Sequence, residues 1–326
     1  MPPEPYTYRT MDSPLITIVL PVRNRATLLP RTLRSITAQK LRPLMVIAVD
    51  NGSTDSTWEV LEKWSKDAAD AGIEVTLLRE EKPGAAAARN RGLKEVASPY
   101  VMFFDSDDEM LPGHTQRLAE CIAANPEAQL IGFDIAERDD DGWTTLKSVN
   151  DSDLLRGHIL HATFATQRYV AKTELVRNSG AWNEELLQWN DLEAGVRLLV
   201  NADSAMVFHG DAGVIVHPSE DSISAAGYAA RADALEKAIE EMELTLRARG
   251  KEDYLVWTDT KRMVLGALCR REGGNAAAKR IEAKALNRHK GWKRRLKLRL
   301  AGASVRIFGR GGCAIATLLF SRRADS

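Results

Sequence analysis

The first 135 residues alternate between short apolar runs and longer stretches in which apolar residues recur every three or four positions. Residues 15–20 (LITIVL) form a β-branched, uncharged run stopped by Pro21, the mark of a buried strand. Residues 25–37 carry Leu28, Leu29, Leu33 and Ile36 at helical spacing. A second buried strand is predicted over 44–49 (LMVIAV), then a turn at Asp50-Asn51-Gly52-Ser53-Thr54-Asp55. Its Ser, Thr and Asp side chains suit the start of a helix over 56–71. The pattern continues with a strand over 75–78, an alanine-rich helix over 85–96, a strand over 100–104 (YVMFF), a helix near 115–124 and a strand over 130–135.

Strands buried on both faces and separated by helices predict an α/β fold with a mostly parallel, Rossmann-like sheet flanked by helices. Such sheets bind ligands at the carboxyl ends of their strands. From Asp139 the rhythm changes. Asp139-Asp140-Asp141-Gly142 predicts a hairpin turn, with Gly142 taking a positive φ. Residues 150–225 are irregular and are expected to build the second half of a cleft. From Gly227 to about residue 300 the chain reads as helical, with segments near 228–249 and 252–272 closed by Gly250 and by Gly273-Gly274.

Composition adds one feature to this picture. The 326 residues are 44% hydrophobic and 28% charged, enough for a sizeable core, and the formal net charge is zero. That zero hides a split. Residues 284–326 hold 12 Lys/Arg and one acid, Asp325, for a net +11; residues 1–283 hold 33 Lys/Arg and 44 Asp/Glu, for a net −11. An acidic body with a basic tail points to an anionic surface as partner. Three separated cysteines (Cys121, Cys269, Cys313) exclude a zinc ribbon and fit a reducing compartment. Met1-Pro2-Pro3-Glu4-Pro5 has neither a basic nor an apolar signal region, and no run reaches the ~18–20 apolar residues of a spanning helix.

Three polar sets stand where the sheet should present them: Pro21-Val22-Arg23-Asn24, Asp50-Asn51-Gly52-Ser53 and Asp105-Ser106-Asp107-Asp108. Three carboxylates in four residues repel one another unless positive charge lies between them. Hard cations such as Mg²⁺ or Mn²⁺ join one or two carboxylates to substrate phosphates, which makes a metal-bound diphosphate the favoured reading over a solvated acidic turn. No GxxxxGK[ST] and no GxGxxG follows the first strand, so simple NTPase and dinucleotide readings fail.

At these residues the chain resembles an inverting family 2 glycosyltransferase of GT-A fold. The resemblance rests on PVRN at 21–24, VDNGSTDST at 49–57, KPGAAAARNRGL at 82–93 and FFDSDDEML at 103–111. A weaker match runs through Gly180-Ala181-Trp182-Asn183-Glu184-Glu185, Trp189-Asn190-Asp191-Leu192, Arg197 and His217-Pro218 before Ser222-Ile223-Ser224. It implies that Pro21, Arg23, Asp50 and Asn51, helped by Arg89, hold the nucleoside base. Asp105 then lies near the ribose, Asp107 coordinates the metal with Asp105 and His217 as further candidates, and Asp191 is the general base. Asn51 and Asn190 stand where the family usually has acids, and a one-residue shift would make Glu193 the base instead. Trp182 and Trp189 flank the proposed base, either as stacking faces for an acceptor sugar or as core. Lys82 and Arg91 face phosphate or solvent.

The implied activity is transfer of a sugar from a nucleotide-sugar donor, a UDP-sugar first, with Mn²⁺ or Mg²⁺ as cofactor. The acceptor is a hydroxyl of a glycan or lipid-linked sugar, in cell-surface polysaccharide synthesis. The expected divisions are a catalytic region over 1–225, a helical extension over 226–283 and a basic amphipathic tail over 284–326. In the tail, Lys and Arg interleave with Trp292, Leu296, Leu298 and Leu300, then Ile307 and Phe308. That pattern suits an anionic bilayer surface and a peripheral position at the cytoplasmic face of the cell membrane, with no nucleic acid as partner. The open alternatives are a non-catalytic, nucleotide-binding relative and a nucleic-acid-binding protein acting through the tail.

Overall fold

The computed structural model describes residues 13–139, 141–150, 152–217 and 227–309, with Ile315 and Leu319. In chain order the elements are β1 (Ile16–Val22), α1 (Leu29–Thr37), β2 (Leu44–Asp50), α2 (Thr57–Asp70), β3 (Ile73–Arg79), α3 (Ala85–Glu95), β4 (Tyr100–Phe103), β5 (Glu109–Met110), α4 (His114–Ala124), β6 (Leu130–Phe133), β7 (Ile135–Arg138) and β8 (Thr144–Lys147). They continue with α5 (Leu154–His161), β9 (Tyr169–Lys172), α6 (Thr173–Asn178), α7 (Asn190–Asn201), β10 (Ala205–Phe208), β11 (Val214–Val216), α8 (Ala232–Ala248), α9 (Leu255–Arg271), α10 (Asn275–Asn287) and α11 (Trp292–Phe308). The chain divides into two compact units. One comprises Met1–Ser152, Thr163–Glu184 and Asn201–Ser219; the other comprises Asp153–Ala162, Glu185–Val200 and Glu220–Ser326.

The first unit is built on a seven-stranded sheet of order β10-β6-β9-β4-β1-β2-β3. All neighbours are parallel except β9, which runs antiparallel to both β4 and β6. Every residue of β1 is buried, as its unbroken uncharged run requires of a strand covered on both faces. Ile16, Ile18, Leu20 and Val22 point into the core shared with Leu29, Leu33 and Ile36 of α1, Leu61 and Trp64 of α2, and Leu118 and Ile122 of α4. On the opposite face Val19 meets α3. A Cβ built on Gly92 would lie 2.5 Å from Val19 Cγ1 and 3.2 Å from Val49 Cγ2, so only glycine lets this helix come so close. Ala86, Ala87 and Ala88 are buried in the same helix.

Two boundaries differ from the sequence pattern. The helix predicted over 25–37 begins at Leu29, with Pro30 in the first turn, where its missing N–H is not needed. The strand predicted over 130–135 is two strands, β6 and β7, interrupted at Asp134. The buried Asp134 Oδ1 accepts a hydrogen bond from Val149 N (2.8 Å), and the chain passes there into a second sheet of order β5-β11-β7-β8. The predicted hairpin joins β7 to β8 in antiparallel register, with Gly142 at φ 85° and its N–H donating to Asp139 O (3.0 Å).

The second unit is helical. Its core joins Leu155 and Ile159 of α5, Leu192 and Val196 of α7, and Leu235, Ile239, Met242 and Leu246 of α8 to Leu265 and Cys269 of α9 and Ile281 of α10. Gly250 and Gly273, at φ 65° and 83°, follow the ends of α8 and α9, where the pattern places the helix stops. Within this core Arg262 is fully buried and meets Glu236 Oε1 (Nε, 2.8 Å), Asp259 Oδ1 (3.3 Å) and Glu243 Oε1. Arg288 adds bonds to Glu243 Oε2 (2.6 Å) and Asp259 Oδ1 (2.9 Å), and His289 Nε2 lies 2.9 Å from Asp259 Oδ2. Burial raises the Glu243 pKa, but hydrogen bonds from Arg288, Arg262 and Thr258 outweigh it and hold the carboxyl at about 2. Among the described residues no helix is long and apolar enough to cross a membrane.

Two outcomes follow from this packing. Gly92→Val forces side-chain atoms into Val19 and Val49 and is expected to lower stability by about 1–3 kcal/mol in chemical denaturation. Glu243 titrates below its ordinary value of 4.5, so its contribution is complete above that pH and fades as pH falls toward about 2. Glu243→Gln should therefore cost on the order of 3 kcal/mol at neutral pH. The difference from the parent should shrink in denaturation curves taken at progressively acid pH.

Candidate active site

Three adjacent parallel strands, β4, β1 and β2, bring their carboxyl ends together in the first unit. The loops that follow are laced to one another. After β1, Asn24 adopts φ 50°, its N–H donates to Ser53 Oγ (2.9 Å), and its Oδ1 accepts from Thr54 N (2.8 Å). Arg25 N donates to Thr57 Oγ1 (2.8 Å) and Ala26 N to Asp55 Oδ2 (3.1 Å). Asp55 Oδ1 accepts from Thr57 N (3.0 Å), so this one carboxylate both starts α2 and ties it to the first loop.

The loop after β4 is held by α1. Thr32 Oγ1 donates to Ser106 O (3.0 Å) and Asp108 O (2.7 Å), and Arg31 Nη2 donates to Asp107 O. Asp105 and Asp107 keep partly exposed side chains, while Asp108 is buried. Arg89 Nη2 bonds Asp105 Oδ1 (2.8 Å), and Arg25 Nη2 lies 3.7 Å from Asp107 Oδ2. Burial, then the neighbouring Asp105 charge, push the Asp107 carboxyl above its ordinary pKa despite Arg25 and Arg31. Asp108 is raised further, by burial and by both neighbours. It accepts from Gln167 Nε2 and from His217 N (3.0 Å).

The predicted residues therefore separate by what holds them. Pro21 lies inside β1 in register with Val49, and Arg23 is exposed, with no ion pair to the described residues. Asp50 is buried, its Oδ1 3.3 Å from Ser53 N. Asn51 clamps the loop before α3: its Nδ2 donates to Glu80 O (2.9 Å) and Lys82 O (2.8 Å), and its Oδ1 accepts from Gly84 N (2.7 Å). Arg89, on α3, is buried between Asp105 and the Trp182 ring, 4.4 Å from the ring centroid. His217 is nearly buried, with Nε2 3.2 Å from Glu109 Oε2; burial and then Arg31 lower its pKa against Glu109. Pro218 and Ser222-Ile223-Ser224 lie outside the described residues.

Asp191 belongs to the second unit, in the first turn of α7, where its Oδ1 accepts from Leu192 N (2.8 Å). The shifted candidate, Glu193, is buried and held by Arg197 in a two-bond pair (2.5 and 2.8 Å). Of the two readings of Trp182, the structure shows core. It is 3% exposed and packs edge-on against Phe103 at 5.1 Å, so it is core rather than a platform for a sugar. Trp189 is partly buried beneath Lys261 Nζ, 4.7 Å from its ring centroid. Lys82 bonds Glu184 Oε2 (2.8 Å) rather than facing solvent alone, and Arg91 pairs with Glu95 along α3.

Sequence reasoning missed Arg25 and Arg31, and gave Glu184 no role. Arg25 follows the PVRN motif and carries no further local signal; Arg31 reads as a solvent position of α1. Glu184 accepts from Asn90 Nδ2 (2.6 Å) and Lys82, and those two hydrogen bonds lower its pKa. Among the described residues no three His, Cys, Asp or Glu side chains converge as a group able to hold a metal by themselves.

The arrangement has relatives. The glycosyl transferase family 2 model matches residues 17–180, half of the chain, and the chain belongs to that family. It is 29% identical over 176 residues to the GalNAc(5)-diNAcBac-PP-undecaprenol β-1,3-glucosyltransferase of Campylobacter jejuni, covering 53% of this chain and 56% of that one. The chain spans about half the length, or less, of the relatives it matches. S. aureus TarS 1–349 in complex with UDP-GlcNAc matches 94% of this chain and 89% of its own, at TM-score 0.61 and 16% identity. The mannosyltransferase PcManGT from Pyrobaculum calidifontis, in complex with GDP-Man and Mn²⁺, matches 94% and 84%, at TM-score 0.58 and 18% identity. At these identities the likeness establishes the fold: α/β, GT-A, with a helical C-terminal region.

The hydrogen bonds of Asn51 lead to a stability test. Asn51→Ala strands two carbonyls and one N–H around the 80–84 loop and should lower stability by about 1–3 kcal/mol. Asn51→Asp cannot donate to Glu80 O and Lys82 O and should cost at least as much. Chemical denaturation of the two variants against the parent reads both.

Proposed function

We propose that the protein is an inverting, metal-dependent glycosyltransferase. It moves a sugar from a nucleoside-diphosphate donor, UDP-linked in first choice, to a hydroxyl of a glycan or lipid-linked acceptor in cell-surface polysaccharide synthesis. The observation that carries the reading is the pair Asp105 and Asp107 at the carboxyl end of β4, set among Arg25, Arg31 and Arg89. Support comes from the ligands named for the structural neighbours, UDP-GlcNAc and GDP-Man with Mn²⁺, and from the undecaprenol-linked acceptor named for the Campylobacter jejuni relative.

Two observations favour a divalent cation beside a diphosphate here. The Asp107 carboxyl is pushed up by burial and by Asp105, so added positive charge there is favourable. Arg31 Nε is buried with no hydrogen-bond partner among the described residues, a donor suited to an anionic oxygen. Asp107 would hold the ion, with Asp105 and His217 as its companions. One or two carboxylates suffice, because such ions complete their shell with phosphate and water. When bound, the cation neutralises charge on the departing nucleoside diphosphate.

The chain's own residues supply the rest. Pro21, Arg23, Asp50 and Asn51 line the place of the nucleoside base, and Arg89 is fixed there by Asp105 and Trp182. Asp191 is the general base. Its carboxylate takes the acceptor hydroxyl's proton as that oxygen bonds to the anomeric carbon, and the bond from that carbon to the diphosphate breaks with its electron pair leaving on the diphosphate. Attack from the face opposite the leaving group inverts the configuration and needs no covalent enzyme intermediate. A lipid-linked acceptor places the enzyme at the cytoplasmic face of a membrane.

Titration calorimetry with and without Mn²⁺ tests the donor half: Asp107→Ala should lose the metal-dependent gain in UDP-sugar affinity, and equal affinity in the parent protein without Mn²⁺ would count against it. Asp191→Ala should keep donor affinity while kcat falls by about 10²–10⁴; full turnover by this variant refutes the assignment. Thermal shifts with UDP-, GDP- and dTDP-sugars select the nucleotide. Donor binding without any slow donor hydrolysis would mark a non-catalytic relative.

A further inference from the structure

α11 carries two faces of opposite use. Leu298, Ala301, Gly302, Ser304 and Val305 are buried, and Leu298 joins Met263 of α9 and Ala285 of α10 in a small core. Gly302 permits the approach, since a Cβ there would lie 3.3 Å from Met263 O. The described residues leave the other face uncovered. Trp292, Leu296, Leu300 and Ile307, spaced by four, four and seven residues, fall in one stripe and are 70%, 47%, 47% and 65% exposed. By the same periodicity Lys293 and Lys297 border the stripe on one side, and Arg295, Arg299 and Arg306 on the other.

Several cations of this unit are matched. Arg262, Arg270, Arg280, Lys284 and Arg288 each meet a carboxylate within the helical bundle. On α11 there is no acidic residue, and Lys293, Arg294, Arg295, Arg299 and Arg306 form no ion pair with the described residues. Lys284 and Arg288 of the basic tail thus neutralise the acidic helices, while Lys290 and these five cations of α11 are not matched within the described residues. Arg299 and Arg306 also stand with Arg270 on a groove of about 430 Å³ floored by Met263, Ala267 and Gly302.

We propose that α11 lies flat in the interfacial layer of an anionic bilayer. The Trp292–Leu296–Leu300–Ile307 stripe enters the acyl boundary, and the flanking Lys and Arg meet lipid phosphates. This deepens the membrane partner of the reading above and rests on it, in that a lipid-linked acceptor brings the enzyme to a bilayer. A solvated face has no use for four aligned large apolar side chains, and nucleic acid would leave that stripe in water. A second copy docking through the same stripe would set like-charged rows of cations against each other.

The test uses the full chain and vesicles of phosphatidylcholine, alone or mixed in equal parts with phosphatidylglycerol. The parent should sediment with the mixed vesicles and much less with the neutral ones. Brominated acyl chains should quench its fluorescence, and Trp292→Phe should remove that part of the quenching. Leu296→Asp/Leu300→Asp and Arg299→Glu/Arg306→Glu should each weaken binding to mixed vesicles by about tenfold or more, with the parent's thermal midpoint retained. Four results overturn the proposal: no binding of the parent to mixed vesicles, equal binding to neutral ones, unchanged binding by Leu296→Asp/Leu300→Asp, or a lipid-free dimer that this variant dissociates. UDP-sugar hydrolysis without vesicles separates the two readings. Hydrolysis with no vesicle binding overturns this inference alone, and vesicle binding with no hydrolysis supports it while overturning the enzymatic reading.

Discussion

Three carboxylates in four residues, at the end of a buried strand, cannot share so small a volume without positive charge, and the first unit is arranged around that constraint. Arg25 comes from the loop after β1, Arg31 from α1 and Arg89 from α3, and each reaches the Asp105–Asp108 loop from a different part of the chain. Each arginine is in turn placed by packing. The glycine contact of α3 against Val19 sets the height of Arg89 over the sheet, and Thr32 pins the carbonyls of Ser106 and Asp108 to α1. Compensation is incomplete, because Asp107 and Asp108 remain above their ordinary pKa range. Burial is the first cause of both shifts and the neighbouring carboxylates the second, and this is one ground for the cation proposed above.

The second unit meets the same problem differently. Its buried charges are matched among themselves: Arg262 and Arg288 share Glu243 and Asp259 so closely that Glu243 holds its charge well into acid. Breaking such a set leaves a charge buried without its counterpart, which is why its members depend on one another. α11 shows what happens where no carboxylates are supplied: the cations remain on the surface, beside an apolar stripe that the bundle does not cover.

Much of this was legible in the sequence. Runs of β-branched residues located the strands, three-to-four spacing located the helices, and polar sets after strands one, two and four located the candidate site, because each signal is local. Boundaries were less so. Asp134 breaks a continuous apolar run because its carboxylate is needed by Val149, fifteen residues on, and no periodicity reports that. The sequence leaves Trp182 open between a stacking face and core, and only its contacts with Phe103 and Arg89 decide for core.

The order of strands and helices, the acidic cluster and the charge asymmetry of the chain were determined by the sequence alone, since each depends on neighbours along the backbone. The tertiary structure decided which cation meets which carboxylate. It turned Asn51 into a clamp for the 80–84 loop and set Lys284 and Arg288 of the basic tail against the carboxylates of α8. Those outcomes depend on groups separated by tens of residues that only folding brings within hydrogen-bond distance, and a linear pattern carries no measure of that distance.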